Sequence, residues 1–351
     1  MSDIVLSVRD AEVSFPVSSL FDTMQGRPRS ILGVAGASFE VARGETFAVV
    51  GESGSGKTTL ARAINGLQPV AAGSVRFEGQ EITTLTRAEF RPLRRRMAMM
   101  FQDPVGSLSP RLTVGQLIAE PFRIHGAGDR NVRDEVGRLL ALVGLPADFV
   151  SRYPHQLSGG QARRVGVARA IALDPALIIA DEPTAGLDVS VQGEVLNLLG
   201  DLRDRLGLAM VIITHNLHVV HHIADRMAVM YLGRFVETGG TEAIFNAPAH
   251  PYTRALLSAN PEPDPDKARD RISLPAEVPS LLARPNGREF HTRCPRAQDL
   301  CRTDVPPLLQ WQHRRLAGHV PLQGAPGWVT RGVNAPGARC RMRRHRRRRP
   351  Q

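Results

Sequence analysis

Two stretches of this 351-residue chain are suited to holding negative charge. The first, GESGSGKT at residues 51–58, lies between an apolar run and a helical pattern. Gly51, Gly54 and Gly56 let the backbone wrap phosphate groups, and the N–H groups of the loop make an anion nest. Glu52, Ser53, Ser55 and Thr59 complete the loop. Lys57 supplies a point charge for the β- and γ-phosphates, and the Thr58 hydroxyl is a ligand for Mg²⁺. The second stretch, LSGGQ at Leu157–Gln161, opens a long helical pattern with Ser158, Gly159 and Gly160. That is a second phosphate-binding device, a helix N-terminus with free N–H groups, but it has no lysine of its own.

Three further residues end apolar runs. ALIIADEP delivers Asp181, placed to hold Mg²⁺, with Glu182 beside it as the base that polarises an attacking water. AMVIITH ends in His215; a strand lying beside the one that carries Asp181 would bring this imidazole to the γ-phosphate. MMFQDP presents Gln102, whose amide reaches either the Mg²⁺ or the water. His218, His221 and His222 have helical spacing, but no cysteine or carboxylate completes a metal set, so they read as a helix face.

These motifs need strand ends and helix starts to position them. Residues 1–50 alternate or run apolar, with ARGE as a turn, and read as strands. TTLARAINGL reads as a helix stopped by Gly66 and Pro69, and GSVRFEGQEI as a return to strand. Residues 87–165 are mostly helical in pattern. Strands then alternate with helices to about residue 245, the signature of a largely parallel α/β sheet carrying a helical insertion. From residue 246 the texture turns Pro-rich, then passes into a short segment around two cysteines. Residues 323–351 read as a low-complexity tail.

Composition narrows the class. Hydrophobic content of 42% and charged content of 23% are those of an ordinary globular protein. No apolar run is long enough for a membrane span, and the N-terminus lacks a signal-peptide core, so a cytosolic chain is expected. Three cysteines do not make a disulfide framework. The net charge of +11 is mostly a tail: residues 339–351 hold eight arginines and no acid, leaving +3 for the rest. That tail reads as a solvated end, with attraction to anionic lipid as the next reading. Nothing in it resembles a nucleic-acid reading module.

GESGSGKT, Gln102, LSGGQ, LIIADEP, GLD and His215, in that order, resemble an ATP-binding-cassette (ABC) ATPase over residues 4–245. The resemblance implies an α/β P-loop NTPase (RecA-like) core with a helical subdomain at about 88–165, and ATP with Mg²⁺ at Thr58, Gln102 and Asp181. It implies that Phe15 stacks on adenine, although this residue also suits a strand core. Asp188 in GLD would lie at a dimer interface. It also resolves the duplication: Ser158, Gly159 and Gly160 complete the ATP site of a second subunit. FQDPVGSLSPRLTVGQLIAEPFRIHG and HPYTRALLSANPEPDP resemble the peptide-importer branch, the oligopeptide/dipeptide (and nickel) transporter ATPases. Residues 246–322 would be that branch's C-terminal extension, and residues 323–351 a basic tail.

The implied protein is the peripheral ATPase subunit of an importer on the cytoplasmic face of the inner membrane. Its expected partners are a second cassette (a paralogue or a copy of itself), two permease subunits, with the segment at Gln102 touching a permease coupling helix, and a solute-binding protein. Peptides are the default solute, with nickel chelates and opines open. The alternative class is a soluble, non-transport ABC ATPase acting on nucleic acid or ribosomes, but the chain has no sustained heptads, tandem cassette or CxxC pairs. One departure stands out. Many members carry four cysteines in the extension that look built to hold an iron–sulfur cluster; here only Cys294 and Cys301 remain. Arg288 and Gly318 fall near the other two places and Cys340 sits in the tail, so no cluster is expected.

Overall fold

The structure is a computed structural model, and it describes residues 3–17, 30–103, 106–126, 130–260, 272–275, 277–304, 308–311 and 314–317. Gly318, Cys340 and the tail at 323–351 lie outside the described residues.

The central layer is an eight-stranded sheet in the order β11-β12-β10-β9-β3-β8-β7-β6. Its members are β3 (Thr46–Val50), β6 (Met97–Met100), β7 (Leu177–Asp181), β8 (Ala209–Thr214), β9 (Arg226–Tyr231), β10 (Arg234–Gly240), β11 (Leu308–Trp311) and β12 (Arg314–Ala317). The run from β9 to β6 is parallel throughout. Every residue of β3, β7 and β8 is buried, which is why TFAVV, LIIAD and AMVIIT are nearly continuous apolar runs rather than alternating ones.

A second, antiparallel sheet in the order β2-β1-β4-β5 comprises β1 (Ile4–Pro16), β2 (Ser30–Ala42), β4 (Ala72–Phe77) and β5 (Gln80–Glu81). This is the β-rich start of the sequence, but the ARGE turn sends β2 and β3 into different sheets. One hydrophobic core fills the space between this sheet, helix α1 (Lys57–Ile64) and the central layer, with Phe39 stacked on Phe47 at 4.6 Å.

Helix α2 (Arg87–Leu93) precedes β6, so residues 97–100 of the largely helical stretch belong to the central sheet. The helical insertion proper holds α3 (Val114–His125), α4 (Val132–Leu142) and α5 (Gly159–Ile171). It packs with α6 (Val189–Leu206) and the other face of β6–β8 in a second core.

Beyond α7 (Leu217–Ile223), β9 and β10 form a hairpin whose turn residues, Leu232 and Gly233, both have positive φ (44° and 83°), as a tight two-residue turn demands. The chain continues through α8 (Thr241–Asn246) and α9 (Pro251–Ser258) to the short α10 (Leu300–Thr303). The β11–β12 hairpin then extends the central sheet past β10, an antiparallel edge absent from the sequence reading. The C-terminal segment shares a third core with β3, α7, β9 and β10, in which Tyr252 and Phe290 pack on Tyr231 at ring distances of 4.8 and 5.3 Å.

The start of α9 shows how a charged group is accommodated there. The Glu237 carboxylate, fully buried, accepts the N–H groups of Ala249 (3.1 Å) and His250 (3.0 Å). His250 Nδ1 in turn accepts the Tyr252 N–H at 3.2 Å, capping the helix. Burial, reinforced by the Arg288 charge, pushes the His250 imidazole down to about 3, so it folds neutral. A histidine whose folded pKa lies below its unfolded value costs stability once the unfolded chain begins to protonate, as pH falls through about 6.5. We therefore expect stability to fall by about 2 kcal/mol between pH 7.5 and pH 5 from this residue alone. The slope of thermal stability against pH should be shallower in H250N, which retains a capping oxygen; an unchanged slope would contradict this reading.

Candidate functional site

The parallel register delivers four loops to one edge of the sheet. Val50 pairs with Thr214 and Asp181 with Ile213, so Gly51, Asp181–Glu182 and His215 leave neighbouring strands at the same level, and β6 leads into Phe101 and Gln102. Sites at the carboxyl ends of parallel strands are the rule in open α/β sheets.

The glycines of the loop are sterically required. Gly51, Gly54 and Gly56 have φ of 157°, 79° and 101°. A Cβ on Gly51 would strike the Met230 carbonyl, and one on Gly56 the Gly33 carbonyl. Gly56 stands at the N-terminus of α1, whose first turn carries no acid to oppose an anion there. Lys57 is 7% exposed, and its Nζ donates to the carbonyls of Gly51 (2.8 Å) and Glu52 (2.9 Å) and to Ser55 Oγ (3.3 Å). Burial lowers the lysine pKa, while Glu182, Asp181 and Glu52 act to raise it.

Across the loop, Thr58 Oγ1 donates to Asp181 Oδ1 at 3.3 Å. Asp181 is 4% exposed, and its pKa is raised chiefly by desolvation, with the Thr58 hydrogen bond opposing. Glu182 adopts a left-handed backbone (φ 50°), a strained conformation for a residue with this side chain. Three bonds hold its carboxylate. Oε1 meets His215 Nδ1 at 2.6 Å and accepts the His215 N–H at 3.0 Å, and Oε2 accepts the Thr214 hydroxyl at 3.0 Å. The imidazole itself stands largely in solvent.

These residues frame a cleft of about 270 Å³ lined by Phe15, Ile31, Gly33, Ser53, Gly54, Gly56, Lys57, Thr58, Thr59, Gln102, Asp181, Glu182 and Leu281. Phe15 is therefore at the cleft, on the strand next to Gly33, rather than only in a strand core. Gly51, Glu52 and Ser55 form the back of the loop, and Glu52 faces away from the cleft toward Arg293 and Tyr252. His215 meets the cleft through Glu182. No sequence motif marks Ile31, Gly33 or Leu281 at the cleft, or Thr214 on Glu182, although Thr214 sits next to His215 at a strand end.

LSGGQ contributes no lining residue to this cleft. Ser158 caps α5 by accepting the Gln161 N–H at 3.3 Å, the Gln161 side chain accepts the Ser158 N–H at 3.0 Å, and Ser158 and Gly159 are exposed. Asp188, also exposed, caps α6 through the Val191 N–H (2.9 Å). Between these parts lies Arg163, 1% exposed, which donates to the carbonyls of Phe101, Gln102 and Ala185, each at 3.3 Å. His221 pairs with Glu242 (3.2 Å) and His222 with Asn197 (2.8 Å), a helix-face arrangement. Cys294 is half-buried and Cys301 buried; the Cys301 carbonyl accepts the Arg288 N–H at 2.9 Å.

Comparison with known proteins agrees with this geometry. Residues 34–185 match the ABC transporter family, and residues 236–301 match the oligopeptide/dipeptide transporter C-terminal region. The chain is 47% identical to the "Probable peptide ABC transporter ATP-binding protein y4tS" of Sinorhizobium fredii, over 94% of each chain. It is 44% identical to the di/tripeptide transport ATP-binding protein DppF of Pseudomonas aeruginosa, over 90% of this chain and 98% of that one. With the oligopeptide transport ATP-binding protein OppF of Salmonella typhimurium it shares 43% identity over 87% and 92% of the two chains. Among solved structures, a dimeric post-hydrolysis state of the ATP-binding cassette MJ0796 with ADP and phosphate superposes at a TM-score of 0.60, with 25% identity over 67% of this chain and 98% of that one. The chain belongs to the ATP-binding proteins of ABC transporters, in the branch that carries the oligopeptide/dipeptide transporter C-terminal region.

Proposed function

We propose that this chain is the ATP-hydrolysing subunit of an importer that energises uptake of peptides, or of a related small solute such as a nickel chelate or opine, through a separate permease. The observation that carries this reading is the division of labour along the chain. One cleft gathers Phe15, Lys57, Thr58, Gln102, Asp181 and Glu182, while the exposed start of α5 holds a second anion-binding end away from it. The alternative of a soluble, non-transport ATPase finds no support among the relatives, whose names are those of transport proteins.

The residues take the following parts. The N–H groups of Gly54 and of Gly56 to Thr59, with the Lys57 ammonium, hold the phosphates, and Phe15 offers a ring for the base. Thr58, Asp181 and Gln102 supply oxygen donors, the hard set Mg²⁺ prefers, and the buried Asp181 next to Thr58 fits such an ion. When bound, that ion supplies charge neutralisation to the β- and γ-phosphates. Glu182, fixed by Thr214 and His215, takes the proton from the attacking water, and His215 orients the carboxylate. Ser158, Gly159, Gly160, Leu157 and Gln161 cover the ATP of a second cassette, a paralogue or a copy, with Asp188 near the join. Two thiols cannot cage an iron–sulfur cluster, so none is expected at Cys294 and Cys301.

A groove between β6 and helices α3 and α5 is lined by Met100, Phe101, Leu108, Ile124, Arg163 and Arg169, with Phe101 and Ile124 about half exposed. We assign it to the permease, which would hold the subunit at the cytoplasmic face of the inner membrane. No helix among the described residues is long and apolar enough to cross a membrane. A solute-binding protein completes the importer and, with the permease, selects the solute.

Two outcomes test the assignment. In proteoliposomes holding the full importer, E182Q should leave Mg-ATP binding intact and lower hydrolysis about 10²–10⁴-fold, the usual contribution of a general base. Labelled di- or tripeptide uptake should fall with it; uptake that persists would refute the coupling. G51A should cost about 1–3 kcal/mol of stability through backbone strain and weaken ATP binding more than tenfold; wild-type affinity would show that the loop does not bind phosphate in this conformation.

A further inference from the structure

We propose that Arg293, carried by the C-terminal extension, is a positioning residue of the ATP site: it braces the phosphate loop from behind and neutralises Glu52. The inference rests on the ATPase reading above.

Glu52 is the second residue of GESGSGKT, yet every polar group it has is committed inside the chain. Its N–H donates to the Tyr252 hydroxyl at 3.1 Å. Its carbonyl accepts from Lys57 Nζ at 2.9 Å. Its carboxylate accepts from Arg293 Nη1 at 3.0 and 3.3 Å. Arg293 and Glu52 are 241 residues apart in sequence, and the guanidinium side chain is only 9% exposed. The loop that must hold a triphosphate is therefore tied at its back to two residues of the extension.

The extension is itself firmly seated. Phe290, three residues before Arg293, lies against Tyr231 and Tyr252, and the Arg293 guanidinium stands 6.0 Å from the centre of the Tyr231 ring. Glu289 is held by Arg234 at 2.6 Å and Arg284 at 3.1 Å, which ties this turn to the β9–β10 hairpin. A second contact reaches the same site independently. Leu281 of the extension lines the cleft with Phe15 and Ile31, so the segment touches the nucleotide site from two sides of the loop.

A buried ion pair is weak grounds for stability, since desolvation consumes most of its attraction. Its electrostatic effect on a neighbour is another matter. A carboxylate on the loop, half out of water and unpaired, would repel a polyphosphate across a distance at which salt screens poorly. Arg293 cancels that charge while leaving the Glu52 carbonyl free to hold Lys57 near the loop. The pair is thus a charge-balancing brace, and the C-terminal extension is part of the nucleotide site.

The test is a charge cycle on the full-length chain, read as Mg-ATP affinity by calorimetry. R293Q should weaken binding about tenfold, E52Q should tighten it about threefold, and the double variant should return to within about twofold of wild type, because only the sum of charges matters. R293K, which keeps the charge, should bind within about twofold of wild type. If R293Q fails to fold, E52Q and R293K still decide. E52Q binding no tighter than wild type, or a double variant no better than R293Q, would overturn the brace and leave a packing role. Wild-type protein that binds no Mg-ATP would instead refute the proposed function itself.

Discussion

The site depends above all on the parallel pairing of β3, β8 and β7. In a parallel ladder each strand ends at the same face, so the register that sets Val50 beside Thr214 and Asp181 beside Ile213 also brings the phosphate loop, the acidic pair and His215 together. These strands are buried on both faces, so their ends rather than an alternation of apolar and polar residues fix the register: a slip would draw the charged or polar groups at the strand ends into the layer. The two cores on either side of the sheet serve that register: α1 and the antiparallel sheet on one face, α5 and α6 on the other.

Charge at the strand ends is tolerated because each group is matched. Lys57 is satisfied by carbonyls of its own loop, Asp181 by Thr58, and Glu182 by Thr214 and His215. Glu182 also carries backbone strain, and strain maintained at a strand end by three hydrogen bonds points to a carboxylate whose orientation matters more than its comfort. Arg163 adds a mechanical link: one buried guanidinium holds the carbonyls of the segment after β6 and of the turn after Glu182 from within α5. A shift of α5 would therefore pull on both.

Much of this was legible in the sequence wherever a motif is local. Glycines at 51, 54 and 56, Lys57 and the apolar runs ending at Asp181, Gln102 and His215 mark their positions at the strand ends within a dozen residues each, and strands alternating with helices imply the parallel sheet. What was not legible depends on distant pairing. The antiparallel sheet closes where β1 pairs with β4, and the β11–β12 hairpin joins the central sheet through β10; neither pairing is between strands consecutive in sequence. Glu52 belongs to the loop by spacing, but its side chain is claimed by Arg293, 241 residues on, and no periodicity announces that contact. Leu281, in an irregular Pro-rich segment, reaches the cleft for the same reason. Phe15 was ambiguous because a strand residue beside a cleft and one inside a core share the same pattern.

The start of α5 is capped and exposed and lines no part of its own cleft; on the function proposed above, two cassettes placed head-to-tail would each lend Ser158–Gly160 to the other's ATP. The direct measurement is the molar mass of E182Q protein in solution by light scattering, alone and mixed with a paired cassette, with and without Mg-ATP. The account predicts a mass corresponding to two cassettes that forms only with Mg-ATP and is lost when Ser158 is replaced by arginine. ATP bound at full occupancy with the mass of a single chain in every mixture would contradict it.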